Sequence, residues 1–291
     1  MLEKAMAFAR LTRIEHSFML IIAVIAGEEI SGGLPSALPF LLSLISPVMI
    51  SMAAFAINDY FDVEVDKENG EFGRPIVAGQ ISRSSAFYSS LILFLLGCLA
   101  ALFINLSDFF IAAIFAILAF LYSYKLKEML LLGNMYVAFS MSIPFIFGNY
   151  AVSTELMVYT ILISLMIFAG GLAREIHGTI RDYEGDIKKR GVKSLPYYIG
   201  IEGSAYTSFL LYLFAIFISI MLVFVPGRLY MNMLYLLAIL FADILLAYVG
   251  VAYLRLPKEK KLRRKLFKRT RNLSLFAMAF ALFIYLLACA I

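Results

Sequence analysis

The stretch SMAAFAINDYFDVEVDKENG (Ser51–Gly70) decides how the chain is read, because an apolar run enters it and an acidic cluster leaves it. Asn58, Asp62 and Asp66 recur at i, i+4 and i+8, so a helix that continues through them presents all three on one face. Carboxylates beside lipid are costly unless they hold a cation or a partner, which marks the cluster as a site. Asp59 and Glu64 fall off that stripe and are expected to support, cap or face water rather than ligate. A second cluster, Asp182, Glu184 and Asp186 in RDYEGD (Arg181–Asp186), closes another apolar run, with Asp182 and Asp186 again four apart. Two converging acidic faces make a divalent-cation site.

The rest of the composition says where that site sits. Hydrophobic residues make up 63% of the chain and charged ones 15%, with a mean hydropathy of +0.90. Soluble domains are about half apolar and a quarter charged, so the expected class is an all-α integral membrane protein. Runs able to supply the roughly 20 residues of a spanning helix fall near 15–34, 36–57, 84–105, 107–124, 129–150, 155–178, 204–225, 230–254 and 271–291, nine in all. Lys and Arg concentrate in Lys4, Arg10 and Arg13, in the loops 60–83, 125–128 and 181–203, and in PKEKKLRRKLFKRTRN (Pro257–Asn272), with Arg228 an exception. Cytoplasmic loops carry that bias, so the expected topology has a cytoplasmic N-terminus, an external C-terminus and both acidic clusters opening to the cytoplasmic side of the cell membrane. The 255–272 run is expected to anchor to anionic headgroups, making membrane lipids a partner.

The net charge of +5 follows from these loops, and nucleic-acid binding is excluded for want of a soluble basic face. Cys98 and Cys289 lie within predicted spans and suggest neither a disulfide framework nor a metal site. The first run is preceded by the amphipathic MLEKAMAFARLTR (Met1–Arg13) without a small-residue cleavage pattern, so no cleavable signal peptide is expected. Trp is absent, which leaves Tyr to form an interfacial belt.

The chain reads as two copies of one plan, 1–128 and 129–291, within a single membrane-embedded domain, 1–291. GRPIVAGQISRSSA (Gly73–Ala86) follows the first acidic cluster, and GVKSLPYYIGIEGSA (Gly191–Ala205) follows the second. Each passage places a Gly, a base (Arg74 or Lys193), a Pro (Pro75 or Pro196) and a Gly turn before the next span, which sets the clusters opposite one another.

Arg74, Lys125, Lys127, Arg181 and Lys193 sit beside the acids. Mg2+ takes oxygen ligands and completes its octahedron with substrate phosphates, so acids and bases together fit recognition of a diphosphate. Topological bias alone would also place these bases there. His177, in the polar stretch Arg174–Asp182, either orients an acceptor, acts as a base or makes a structural hydrogen bond. Arg10, Arg13, Glu15 and His16 open the first span and either meet a phosphate or acceptor carboxylate or anchor the interface. A cation-coupled transporter also carries intramembrane acids and a repeat, but it wants them near mid-membrane, and here they lie at span ends.

NDYFDVEVD (Asn58–Asp66), RPIVAGQIS (Arg74–Ser82), YSYKLK (Tyr122–Lys127) and RDYEGDIKKRGVKSLP (Arg181–Pro196), taken in order, closely resemble the UbiA superfamily of intramembrane prenyltransferases. The first passage departs from many relatives in the longer KENGEFGRP (Lys67–Pro75). The resemblance implies nine helices around a central cavity and Mg2+-dependent transfer of a polyprenyl group from its diphosphate to a lipophilic acceptor. It implies that Asn58, Asp62 and Asp66 form a first Mg2+–diphosphate motif and Asp182 and Asp186 a second, the four aspartates being catalytic. Phe55, Tyr60, Phe139, Phe145 and Phe147 are candidate cavity walls by position. The extended first motif and compact length are similar to archaeal-type members that alkylate geranylgeranylglyceryl phosphate, which also points to a geranylgeranyl donor. RIEHSF (Arg13–Phe18) is similar to members that prenylate aromatic quinone precursors, the alternative acceptor class.

Overall fold

With no water in a bilayer core to satisfy the backbone, each long apolar run closes its hydrogen bonds within itself, and the described residues form ten α-helices. They are α1 (Leu2–Leu11), α2 (Ser17–Ser31), α3 (Ala37–Glu68), α4 (Arg83–Leu102), α5 (Leu106–Tyr124), α6 (Leu132–Val152), α7 (Val158–Arg190), α8 (Leu195–Met221), α9 (Met233–Leu254) and α10 (Lys260–Ala290). The computed structural model describes residues 2–129, 131–190, 193–257 and 259–290, with side chains described except at 2, 184–190, 260, 289 and 290. Among the described residues there is no strand, and eight helices, α3 to α10, are long and apolar enough to cross a membrane.

Hydropathy locates the spans but underestimates the helices. The predicted loop 181–203 is helical through Arg190 and again from Leu195, and α10 starts at Lys260 rather than near 271. Hydropathy reports contact with lipid, whereas a helix continues into headgroups and water as long as its backbone bonds are made. α3 likewise runs on to Glu68, so Asn58, Asp62 and Asp66 do share one helical face. The first predicted run, 15–34, is realised as α2, whose 15 residues span only about 22 Å.

Two cores meet at a seam. Ile50, Ala53 and Ile57 of α3 pack with Phe94 of α4 and with Ala112 and Phe115 of α5, while Ile163 of α7, Tyr212 of α8, Ile239 of α9 and Ala277 of α10 build a second cluster. Helices α2 and α6 belong to both: Val24 and Phe147 join the first, Ala26 and Phe145 the second. Their backbones touch where a Cβ on Gly27 would lie 2.5 Å from the Phe145 carbonyl oxygen, and one on Gly148 2.9 Å from the Glu28 nitrogen. Small residues permit such a crossing in a membrane, where close van der Waals packing drives helix association.

Polar groups pin the end of the bundle remote from the acidic clusters. Asn149 Oδ1 accepts from Ser31 Oγ at 2.9 Å, Thr160 Oγ1 at 3.0 Å and the Met157 amide at 3.0 Å. Ser43 Oγ donates to buried Glu28, and Asn105 Nδ2 donates to the Tyr150 carbonyl at 2.8 Å. Leu91, Leu95, Ile114, Ile117, Phe217 and Leu237 are exposed on the outer faces, as a lipid-facing surface requires.

Candidate active site

The last three turns of α3 build an ion-pair ladder. Asp62 Oδ2 accepts from Asn58 Nδ2 at 3.0 Å, and its Oδ1 meets the Lys127 ammonium from the loop after α5. Arg74, in the loop after α3, bonds Asp59 and brings its Nε within 3.7 Å of Asp66 Oδ2. Asp59 also accepts from Arg13 Nη2 at 3.1 Å, and Arg13 lies over the Phe55 ring at 4.6 Å. Asp59 is therefore no solvated residue: it is 1% exposed and clamps two arginines from separate segments at the neck of the site.

Above the ladder lies an apolar cavity of about 420 Å³ between α2, α3, α5 and α6, with Arg13, His16 and Asn58 at its polar end. Of the aromatic walls expected from position, Phe55 and Phe147 line it, whereas Phe145 is packed in the core and Tyr60 lies against Phe61 and Phe87. Phe139 is 40% exposed and does not line the cavity, its ring lying 5.4 Å from that of Phe115. The remaining aromatic walls are Phe115, Tyr122 and Tyr136, the two tyrosine rings stacked 4.6 Å apart. Tyr122 stands in the YSYKLK passage, which is a signal that could single it out; the others carry none, since α5 and α6 are apolar on every face.

The second cluster is less complete. Asp182 is exposed and held by its neighbour Arg181, whose Nε and Nη2 donate at 2.8 and 2.6 Å. The side chains of Glu184 and Asp186 lie outside the described residues, although α7 carries their backbone as helix. Lys193 is exposed over the Tyr197 ring at 5.1 Å, and Lys125 is exposed and bonded to Glu128 at 3.2 Å, away from the ladder. His177 is buried, with Nε2 2.6 Å from Ser208 Oγ and its ring stacked on Tyr253.

The donor set suits a hard cation. Asp62 and Asp66 stand one turn apart with only oxygen to offer, and Asp66 Oδ2 is buried without a hydrogen bond. Among the described residues no three His, Cys, Asp or Glu side chains converge into a ready cage. Mg2+ commonly takes one or two carboxylates and finishes its shell with substrate phosphates and water.

A model of the UbiA prenyltransferase family matches residues 19–278. The chain belongs to that family. As a UbiA prenyltransferase it is 36% identical over 273 residues to the digeranylgeranylglyceryl phosphate synthase of Archaeoglobus fulgidus, covering 94% of this chain and 91% of that one. It is 35% identical to the synthase of the same name from Thermococcus kodakarensis, over 86% and 87% of the two chains. A solved structure described as "Structural and mechanistic insights into the biosynthesis of Digeranylgeranylglyceryl phosphate synthase in membranes" matches at 27% identity with a TM-score of 0.82, covering 99% of both chains. A UbiA homolog from Archaeoglobus fulgidus bound to GPP and Mg2+ shares the fold, with a TM-score of 0.67 at 19% identity over 96% and 99% of the chains.

Proposed function

We propose that this UbiA prenyltransferase transfers a geranylgeranyl group from its diphosphate to geranylgeranylglyceryl phosphate, in a Mg2+-dependent step of ether-lipid synthesis. The observation that carries the reading is a ladder of acids and bases on α3 set at the neck of an aromatic, water-excluding cavity. The names of the two synthases support the acceptor, and the homolog holding GPP and Mg2+ supports the donor and metal.

Asn58, Asp62 and Asp66 would hold Mg2+ from the first half, with Asp182 and Asp186 from the second. Bound there, the metal supplies positive charge to the departing diphosphate. Lys127 and Arg74, which the acids hold in place, turn to the diphosphate oxygens and stabilise charge as the C1–O bond lengthens. Phe55, Tyr122 and Tyr136 keep water from the allylic cation and face it with their rings until the acceptor hydroxyl attacks C1, its proton passing to the released diphosphate. Lys127→Ala is expected to weaken donor binding at least about tenfold, the worth of one charge-assisted bond, while Lys125→Ala leaves it within twofold. Isothermal titration with a non-hydrolysable donor analogue checks both; equal losses would remove the distinction between the two lysines.

The topology is proposed as nine crossings with a cytoplasmic N-terminus, α2 being the ninth. Arg13, just before α2, meets Asp59, and Glu28, near its end, meets Ser43; these α3 residues lie sixteen positions apart, about 24 Å along the axis. α2 therefore has the reach of a short span, and the basic loops then share the cytoplasmic side with the site. The halves 1–128 and 129–291 are proposed as a pseudo-repeat in one domain, a reading supported by α3 and α7, each a long helix with acids in its C-terminal turns, and by the crossing of α2 with α6.

Arg13 and His16 at the cavity mouth favour a second reading, in which a basic neck receives the carboxylate of an aromatic acceptor. Purified protein offered radiolabelled geranylgeranyl diphosphate with geranylgeranylglyceryl phosphate or 4-hydroxybenzoate, each with and without EDTA, decides between them. EDTA-sensitive transfer to the glyceryl phosphate alone is expected. Transfer to the aromatic alone would overturn the ether-lipid assignment.

A further inference from the structure

A second cavity, of about 230 Å³, opens between α6, α7, α9 and α10, and the α3 ladder takes no part in it. Its walls include Arg174, Arg181 and Arg271 together with Asn134 and Thr270. Arg174 lies where the apolar part of α7 gives way to its polar end, and Arg271 where the basic start of α10 gives way to its apolar part. Arg174 is half-buried and Arg271 exposed, and both line this cavity at the boundary between apolar and polar helix, where a cationic side chain facing a cavity is a candidate for holding an anion.

The charges here do not balance. Arg181 is occupied by Asp182, and Arg174 reaches Glu175 only at 3.7 Å, leaving its buried Nε without a hydrogen bond. Arg271 has no acidic partner among the described residues. Three guanidiniums therefore face two carboxylates, and Asp182 is one of the residues assigned above to the metal. An arginine fork fits the oxygens of a phosphate in pairs, which a lysine does not.

We propose, building on the acceptor assigned above, that this cavity is the seat of the acceptor's phosphate monoester, gripped by Arg174 and Arg271. Arg174 and Asp182 are two turns apart on α7, about 12 Å along the axis. The phosphate is thus held beside the metal-diphosphate site but apart from it, so the two anions of one reaction do not compete for the same bases. The stacked pair His177 and Tyr253 forms a rigid wall of the cavity, which gives His177 a positioning role and leaves it outside the chemistry.

The test compares wild type with Arg271→Gln and Arg174→Gln on two acceptors, geranylgeranylglyceryl phosphate and the same molecule without phosphate. Each variant is expected to raise KM for the phosphorylated acceptor about 10- to 100-fold, with donor KM unchanged and kcat/KM on the dephosphorylated acceptor equal to wild type. An equal loss on both acceptors, a shift in donor KM, or an unchanged acceptor KM would overturn the proposal. Should wild type transfer to neither acceptor, the reading of the reaction fails, and the cavity is judged by donor-free binding of geranylgeranylglyceryl phosphate. Thermal protection of wild type, lost in Arg271→Gln, then upholds the site; protection of neither refutes it. Equal protection by a diacyl phosphatidic acid would mark a general lipid-headgroup site and refute the acceptor assignment. Monodisperse elution and normal donor binding show that each variant is folded, and Arg271→Lys, which keeps charge but not the fork, is expected to recover only part of the loss.

Discussion

Replacing Asp62 with Ala is expected to lower kcat by at least about a thousandfold while the purified protein keeps its fold. The size follows from the role proposed for Asp62: a metal clamp on a departing anion supplies several kcal/mol of transition-state stabilisation, and each 1.36 kcal/mol is about a factor of ten. Retention of the fold follows from the surroundings. Asp62 and its partner Lys127 are each about a fifth exposed, and the Lys127 ammonium can return to water when the acid is gone. Asp59, three residues earlier on the same helix, is the opposite case, since its 1% exposure and two arginine partners make it a structural clamp. Asp62→Asn keeps the shape and the polar contact with Asn58 but not the charge, so it is expected to fail nearly as badly as Ala. Turnover of labelled donor over a Mg2+ titration, with thermal stability measured on the same preparation, checks this. Activity within tenfold of wild type in Asp62→Ala would take Asp62 out of the metal site.

The contrast between Asp62 and Asp59 also shows what a sequence of this kind conceals. Spacing along a helix needs only the period of 3.6, so the stripe of Asn58, Asp62 and Asp66 is legible in the amino-acid sequence alone. The burial of Asp59 depends on Arg13 and Arg74, which reach it from positions 46 residues earlier and 15 later, and no local pattern encodes that meeting. Rotational phase is hidden for a related reason. α5 and α6 are predominantly apolar, with little amphipathic bias, so little in their sequences separates the face toward the cavity from the face toward lipid. Phe115 and Tyr136, which line the cavity, therefore cannot be told by pattern from Phe139 and Phe145, aromatic residues of the same apolar helices that do not. Lys125 and Lys127 differ likewise only in direction: a turn of 3₁₀ helix over Leu126–Glu128 sends one to Asp62 and the other to Glu128.

Gly27→Val is expected to destabilise the fold by about 3 kcal/mol or more, the upper end of what overpacking costs, and to lower the apparent melting temperature by at least about 6 °C. The added Cβ would meet the Phe145 carbonyl oxygen at 2.5 Å and its Cα at 2.8 Å, and both are backbone atoms of α6 that no rotamer change removes. The clash is reciprocal, because a Cβ on Gly148 would meet the Glu28 nitrogen at 2.9 Å and the Gly27 carbonyl carbon at 3.1 Å. Relief requires α2 and α6 to move apart, and these are the two helices that contribute to both cores. Comparison with other glycines isolates the cause. A Cβ on Gly97 would press mainly on the Ile50 side chain, at 2.8 and 3.0 Å, and would reach backbone only at the Ser46 carbonyl oxygen, at 3.1 Å, so Gly97→Ala is expected to cost less. Gly178 has open space around its missing Cβ, and Gly178→Ala in mid-helix is expected to leave stability unchanged or raise it by up to about 1 kcal/mol. Activity should fall with stability in Gly27→Val, since Leu20 of α2 and Pro144 of α6 wall the same cavity and a wider seam admits water to it. Thermal melts of the three variants in one detergent test the ranking, and a Gly27→Val protein melting within about a degree of wild type would mean that α2 and α6 do not cross there.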